Sequence, residues 1–105
     1  MPKPPTLLQI AAARVGVIRA YRVVAFMVEW SMARRALGQE TLTVEEFAEW
    51  WRIHVRTAYR EQARFREAFP DETTPDRLVD HALTVWDERT GIDGLAHLRF
   101  SRTVA

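Results

Sequence analysis

Hydrophobic residues recur at the spacing of α-helices along most of the chain. No proline falls within residues 6–69, where helix-forming residues dominate. Thr6 is placed to cap a first helix, and Gly38 stands where helices commonly end in a left-handed glycine. The pattern therefore predicts one long helix over residues 6–38. Gly16 leaves two versions open, a bend in this helix or a break into two helices.

The middle of this first helix is apolar around most of its circumference. Residues 15–30 read VGVIRAYRVVAFMVEW, and only Arg19, Arg22 and Glu29 interrupt the apolar character. Such a helix is usually buried on several sides, so we expect it to be wrapped by other helices, by a second subunit, or by both. The β-branched residues also permit a strand, although the alternation is poor. The residues expected at a dimer interface are Val17, Tyr21, Val24 and Val28.

Short-range signals define a second helix that starts at Thr43. Thr43 and Glu46 have the T-x-x-E spacing of a capping box, and Leu42 is placed to pack on Phe47 as a hydrophobic staple. The helix is expected to end near Trp51. One face of this helix carries its apolar side chains: Val44, Phe47, Ala48 and Trp51.

A third helix is predicted over residues 54–69, ahead of Pro70. Arg56, Arg60 and Arg64 recur at every fourth residue of this helix. At 3.6 residues per turn, we expect the three arginines on the side opposite to the apolar face. That apolar face is predicted to comprise Val55, Ala58, Phe65 and Phe69.

A fourth helix is predicted over residues 75–90, with Thr74 as its cap and Gly91 at its end. The tail, residues 91–105, fits either a short helix or an extended arm. Together these elements predict a single all-α domain over residues 1–105. In this domain the long N-terminal helix packs on the two middle helices and on the C-terminal helix.

Composition narrows the class of protein. The chain has 105 residues, of which 48% are hydrophobic and 28% charged, as is typical of one folded globular domain. No apolar run approaches the ~20 residues of a membrane helix, and no signal peptide is visible, so we expect a cytoplasmic protein without a membrane partner. The net charge is only +1, so any binding to nucleic acid must depend on where the arginines lie.

No pattern for catalysis or for metal binding emerges. The absence of cysteine excludes disulfides, thiolate catalysis and cysteine zinc sites. His54, His81 and His97 are scattered, and no nucleophile-elbow, phosphate-loop or dinucleotide-binding motif is present. We therefore expect no enzyme activity, no metal and no cofactor. The pair Trp50 and Trp51 could form a stacking platform for single-stranded nucleic acid, but core packing is the favoured interpretation.

Residues 43–69 read TVEEFAEWWRIHVRTAYREQARFREAF, and they resemble the helix-turn-helix of bacterial DNA-binding regulators. Ala48 stands at the small mid-helix position where the two helices approach closely, and Ile53 stands at the buried position of the turn. Arg52 takes the turn position that glycine usually holds. The recognition helix then begins with His54 as its cap, in place of the usual Ser or Thr. The short acidic loop that follows offers no wing.

The resemblance implies sequence-specific binding of duplex DNA, as expected of a transcriptional regulator that acts as a homodimer. Arg56, Thr57 and Arg60 lie in the N-terminal part of the recognition helix and are expected to contact base edges. Contacts to DNA phosphates are expected from Arg52, Arg64 and His54.

Two alternatives remain open at this point. Glu61 and Glu67 lie close to the arginines along the helix, so the arginine stripe could be an ordinary solvated face of paired charges. The apolar N-terminal helix could instead dock on a protein partner, which would make the chain a protein–protein interaction adaptor.

Overall fold

The computed structural model describes residues 5–79, which contain four α-helices and no strand. The all-α fold class is therefore confirmed. The predicted fourth helix is described only at its start, which forms a 3₁₀ turn; residues 80–90 and the tail at 91–105 lie outside the described residues. The elements in chain order are α1 (Leu7–Val15), α2 (Val17–Leu37), α3 (Val44–Trp51), α4 (Val55–Ala68) and the 3₁₀ turn Pro75–Arg77.

The N-terminal segment is two helices rather than the single helix predicted over residues 6–38. Gly16 has φ 88° and ψ 159°, far from helical values, and the helix is interrupted there. Its N–H still donates to Ala12 O at 2.9 Å, and its carbonyl accepts from the Ala20 N–H at 2.9 Å. Gly16 therefore takes part in the last hydrogen bond of one helix and the first of the next. Its backbone conformation would be strained in a residue with a side chain. The version with a break at Gly16 is the one observed.

Helix α1 folds back along α2. Leu8, near the start of α1, packs with Met32 against Val24 and Val28, which are only 5% and 1% exposed. Arg14, near the end of α1, donates a hydrogen bond to Ala68 O at 2.8 Å and so joins α1 to the last turn of α4. The apolar circumference of α2 is therefore covered largely from within the same chain.

The opposite side of α2 meets α3 and α4 in an aromatic core. The ring of Phe47 lies 5.1 Å from that of Phe26, edge-on, and 5.3 Å from that of Trp30, stacked. Phe65 of α4 lies 6.1 Å from Phe26. These distances are typical of packed aromatic pairs. The Trp51 indole donates to Glu29 O at 3.1 Å and so joins the end of α3 to the middle of α2.

The loop after α4 is held against α2 through Asp76. The Trp30 indole donates to Asp76 Oδ1 at 2.7 Å, and Thr74 Oγ1 donates to Asp76 Oδ2 at 2.9 Å. Arg34 contributes an ion pair, with 3.6 Å between its Nε and Asp76 Oδ1. These contacts fix the direction in which the chain leaves α4. Within residues 5–79, no helix has both the length and the apolar character needed to cross a membrane.

Candidate nucleic-acid interface

The capping box at the start of α3 forms as predicted. Thr43 Oγ1 accepts from the Glu46 N–H at 3.1 Å, and Glu46 Oε1 accepts from the Thr43 N–H at 2.9 Å. Glu46 Oε2 also accepts from Gln39 Nε2 at 2.9 Å. The Gln39 hydrogen bond, together with those from Thr43, lowers the pKa of Glu46. The carboxylate of Glu46 is therefore directed back along the chain toward the end of α2.

The connection between α3 and α4 consists of Arg52, Ile53 and His54. Arg52 adopts the left-handed conformation, with φ 57° and ψ 45°. Its N–H donates to Glu49 O at 3.2 Å, and the Ile53 N–H donates to Ala48 O at 3.0 Å. This pair of hydrogen bonds is the Schellman motif that usually ends a helix in glycine. Arg52 is the only non-glycine residue within 5–79 with a positive φ.

Replacing Arg52 with glycine is expected to stabilise the fold. A left-handed conformation costs an L-residue about 1–2 kcal/mol, while glycine loses about 0.5–1 kcal/mol more conformational entropy on folding. We therefore expect Arg52→Gly to raise the free energy of unfolding by roughly 0.5 kcal/mol, measured by urea denaturation. The matched control is Gly38→Ala at the left-handed end of α2, where φ is 65° and the expected change has the opposite sign. An unchanged or lowered stability for Arg52→Gly would contradict strain at this turn.

Helix α4 begins with His54 as its cap, as predicted. The imidazole Nδ1 accepts from the Arg56 N–H at 3.0 Å. The ring is thus used as a hydrogen-bond acceptor on the first turn of the helix and remains exposed at the turn. Helix α4 packs against both α3 and α2 through residues that are almost fully enclosed: Ala58, Phe65 and Ala68.

The arginine row is defined as Arg56, Arg60 and Arg64. Arg56 and Arg60 are exposed on the outer face of α4, whereas Arg64 is half-buried at the edge of this face. All three arginines were predicted to lie opposite the core, and only Arg56 and Arg60 do so fully. Within residues 5–79, no ion pair joins any of the three to a carboxylate. Other arginines of the described chain do form such pairs: Arg19 with Glu67, Arg34 with Asp76, and Arg77 with Glu72.

The pairing of Glu67 bears directly on the solvated-face alternative. That alternative expects Glu67 to neutralise Arg64 one turn earlier on α4. The Glu67 carboxylate instead lies 3.8 Å from an Arg19 guanidinium nitrogen at the start of α2. Glu67 is therefore engaged by Arg19 and not by Arg64.

A second row of side chains, the apolar row, runs beside the arginines and consists of Val55, Tyr59 and Ala63. Val55 was predicted on the core face and is instead 38% exposed, because it lies about 60° around the helix from Ala58, at the edge of the buried face. Tyr59 is 46% exposed, and Ala63 is also exposed. The sequence reasoning missed this row. The sequence pattern that could have revealed the row is its four-residue spacing, since each of its members directly precedes one of the three arginines.

Tyr59 is fixed to α3 by a hydrogen bond from its hydroxyl to Glu45 Oε1. This bond lowers the pKa of Glu45, as does a second hydrogen bond that the Glu45 carboxylate accepts from the Glu45 backbone N–H. The bond to Glu45 also raises the pKa of the Tyr59 phenol. The Glu45 charge is therefore engaged by a side chain of α4. The bond holds the Tyr59 ring in a defined place across the outer surface of the two helices.

The other predicted site residues occupy mixed positions. Arg52 is exposed at the turn, and Thr57 is half-buried on the flank of α4. Val17 and Tyr21 of the predicted dimer interface are exposed, but Val24 and Val28 are enclosed within the chain because α1 packs on that side of α2.

The tryptophan pair belongs to the core side of α3. Trp51 is buried as predicted, and Trp50 is half-buried with its ring edge-on to Trp51 at 4.8 Å.

The described part of the chain holds no cluster of three or more His, Asp or Glu residues that could bind a metal ion. Comparisons with known protein families, with curated proteins and with solved structures found no match.

Proposed function

We propose that this chain is a cytoplasmic, sequence-specific duplex-DNA-binding protein, of the kind that regulates transcription. In this proposal α3 and α4 form a helix-turn-helix, and α4 enters the major groove. One observation carries the proposal: Arg56 and Arg60 are exposed on the outer face of α4 without an ion pair among residues 5–79.

The charge distribution supports a polyanionic partner. The whole chain carries a net charge of only +1, so it would not attract nucleic acid as a general polycation. Residues 52–68, the turn and α4, carry five arginines against two glutamates. Guanidinium groups carry planar donor forks that match both phosphate oxygens and the O6 and N7 atoms of guanine.

Exposure divides the proposed contacts into two classes. Arg56 and Arg60 stand on the outermost face of α4 and are assigned to base edges. Arg52, His54 and Arg64 lie at the turn or flank and are assigned to phosphates, which position the protein without reading sequence. The proposal also keeps a base contact by Thr57. Because Thr57 lies on the flank of α4, this contact requires a base edge at the side of the helix.

A homodimer forms part of the proposal, with a surface that differs from the one first expected. Val17 and Ile18 at the start of α2 are 62% and 78% exposed, and Tyr21 follows them one turn later with its ring also exposed. These residues, rather than the enclosed Val24 and Val28, are the apolar groups that a second copy could cover. The same patch favours the competing function, a protein–protein interaction adaptor.

Selection of bound sequences from a random duplex library, at low salt, tests the proposal and separates it from the adaptor. We expect enrichment of a defined sequence, as an inverted repeat whose half-sites lie about 34–36 Å apart if a dimer binds. We also expect the affinity to fall steeply with added salt, because arginine–phosphate contacts release counterions. Failure to retain any duplex would contradict the proposal and leave the adaptor as the better explanation of the α2 patch.

A further inference from the structure

We propose that α4 reads the C5-methyl groups of thymine through the apolar row Val55, Tyr59 and Ala63. This inference rests on the proposed function and specifies the chemistry of its binding site. The ligand is a duplex DNA whose major groove presents thymine beside guanine, with the arginine row taking the guanine and phosphate contacts.

The packing of α4 leaves the side chains of the apolar row partly exposed. Val55 and Tyr59 are two of the six large hydrophobic residues exposed within residues 5–79, and they lie one turn apart on a single helix. Ala63 extends the same line by another turn, and it too is exposed. Apolar groups aligned on a helix surface gain free energy only when another apolar surface covers them.

The neighbouring arginines identify which apolar surface this is. The two rows are offset by one residue, so Val55 stands beside Arg56 and Tyr59 stands beside Arg60. A protein partner would have to leave these arginines without counter-charges or supply carboxylates of its own. The major groove supplies phosphates, guanine acceptors and thymine methyl groups together, within a width that admits one helix.

The Tyr59 hydroxyl already has a partner, and this decides which part of the side chain is available. Since the hydroxyl donates its hydrogen to Glu45, the ring is the part of this 46% exposed residue that is left for an apolar contact. The bond also keeps the ring from rotating freely, which lowers the entropy lost on binding. The row therefore presents a branched aliphatic group, a ring and a methyl group, each suited to contact with a methyl group rather than to hydrogen bonding.

The chemistry also separates DNA from RNA. Uracil lacks the methyl group, and the major groove of an RNA duplex is too deep and narrow for side chains to read. The apolar row should accordingly favour duplex DNA through a group that is absent from RNA.

The test compares two forms of one duplex. The strongest sequence selected from the random library is synthesised with thymidine and, separately, with 2′-deoxyuridine at every thymidine position, and the dissociation constants of the full-length protein are measured. Burial of one methyl group corresponds to about fourfold in affinity, so we expect the deoxyuridine duplex to bind about fourfold more weakly for each thymine contacted.

Polar variants assign the effect to the apolar row. Val55→Ser combined with Ala63→Ser replaces the apolar ends of two exposed side chains with hydroxyl groups, and should reduce the ratio between the two duplexes toward one. The matched control is Leu37→Gln, which makes another exposed apolar residue polar, outside α3 and α4, and should leave the ratio unchanged.

The outcomes separate this inference from the function on which it rests. A reduced ratio in Val55→Ser/Ala63→Ser, with the wild-type ratio intact in Leu37→Gln, supports the inference. Equal binding of both duplexes by the wild-type protein overturns it while DNA binding stands, and so does an unchanged ratio in the double variant. If the wild-type protein retains no duplex at all, the proposed function fails and the inference fails with it.

Discussion

The proposed DNA binding predicts that replacing Arg56 and Arg60 together with alanine abolishes sequence-specific binding. A bidentate arginine–guanine contact contributes about 1–3 kcal/mol of discrimination, so loss of two such contacts should weaken binding to the selected duplex by roughly 2–6 kcal/mol, or about 30-fold or more. Both side chains are exposed, and neither forms an ion pair within residues 5–79. Their removal should therefore leave the thermal midpoint nearly unchanged. The measurement is a fluorescence-anisotropy titration of the selected duplex.

A charge-matched control distinguishes base reading from general attraction. Arg22→Ala combined with Arg35→Ala removes two exposed positive charges from α2 and should weaken binding much less. Arg64→Ala provides a second comparison, because a phosphate contact should lower affinity for all sequences alike and reduce the salt slope by about 0.9. Equal losses in the α4 pair and the α2 pair would contradict a specific role for Arg56 and Arg60.

Phe47→Ala is expected to destabilise the fold more than any surface substitution. Phe47 is fully buried between Phe26 and Trp30, at ring distances of 5.1 and 5.3 Å. Truncation of a buried phenylalanine to alanine typically costs about 3–5 kcal/mol, through lost burial and the cavity left behind. A domain of this size has a total stability of about 5–15 kcal/mol, so much of it would be lost. The free energy of unfolding from urea denaturation, followed by circular dichroism, measures this loss.

Leu37→Ala is the control for this second prediction. Leu37 is exposed at the end of α2, so its truncation should change stability by no more than about 0.5 kcal/mol. Under conditions in which Phe47→Ala remains folded, its base preference should match that of the wild-type protein, since Phe47 does not reach the surface. Equal free energies of unfolding for Phe47→Ala and Leu37→Ala would show that the aromatic core is not the main source of stability.

The helix boundaries could be predicted because their signals act over a few residues. The capping box of Thr43 and Glu46 forms at the predicted place, and His54 caps α4 through its own side chain. The left-handed glycine at Gly38 ends α2 as expected. The break at Gly16 was recognised only as an option, because glycine permits a positive φ without requiring one.

The composition of the candidate surface was harder to predict. Helical periodicity assigned Val55 to the core because it shares a face with Ala58, yet Val55 lies at the edge of that face and is 38% exposed. The same periodicity placed Arg64 with Arg56 and Arg60, although the packing of α4 leaves Arg64 half-buried. The bond from Tyr59 to Glu45 joins positions on two helices, and no spacing along one helix can reveal it.

The sequence by itself determined where α3 and α4 begin and end and which residues carry charge, because caps, glycines and prolines act on their own neighbourhood. Only the tertiary structure decided which apolar groups stay exposed. Helix α1 folds back and covers Val24 and Val28, while nothing in residues 5–79 covers Val55 or Tyr59 to the same extent. Burial depends on which distant segment arrives at a face, and that arrangement is a property of the whole packed chain.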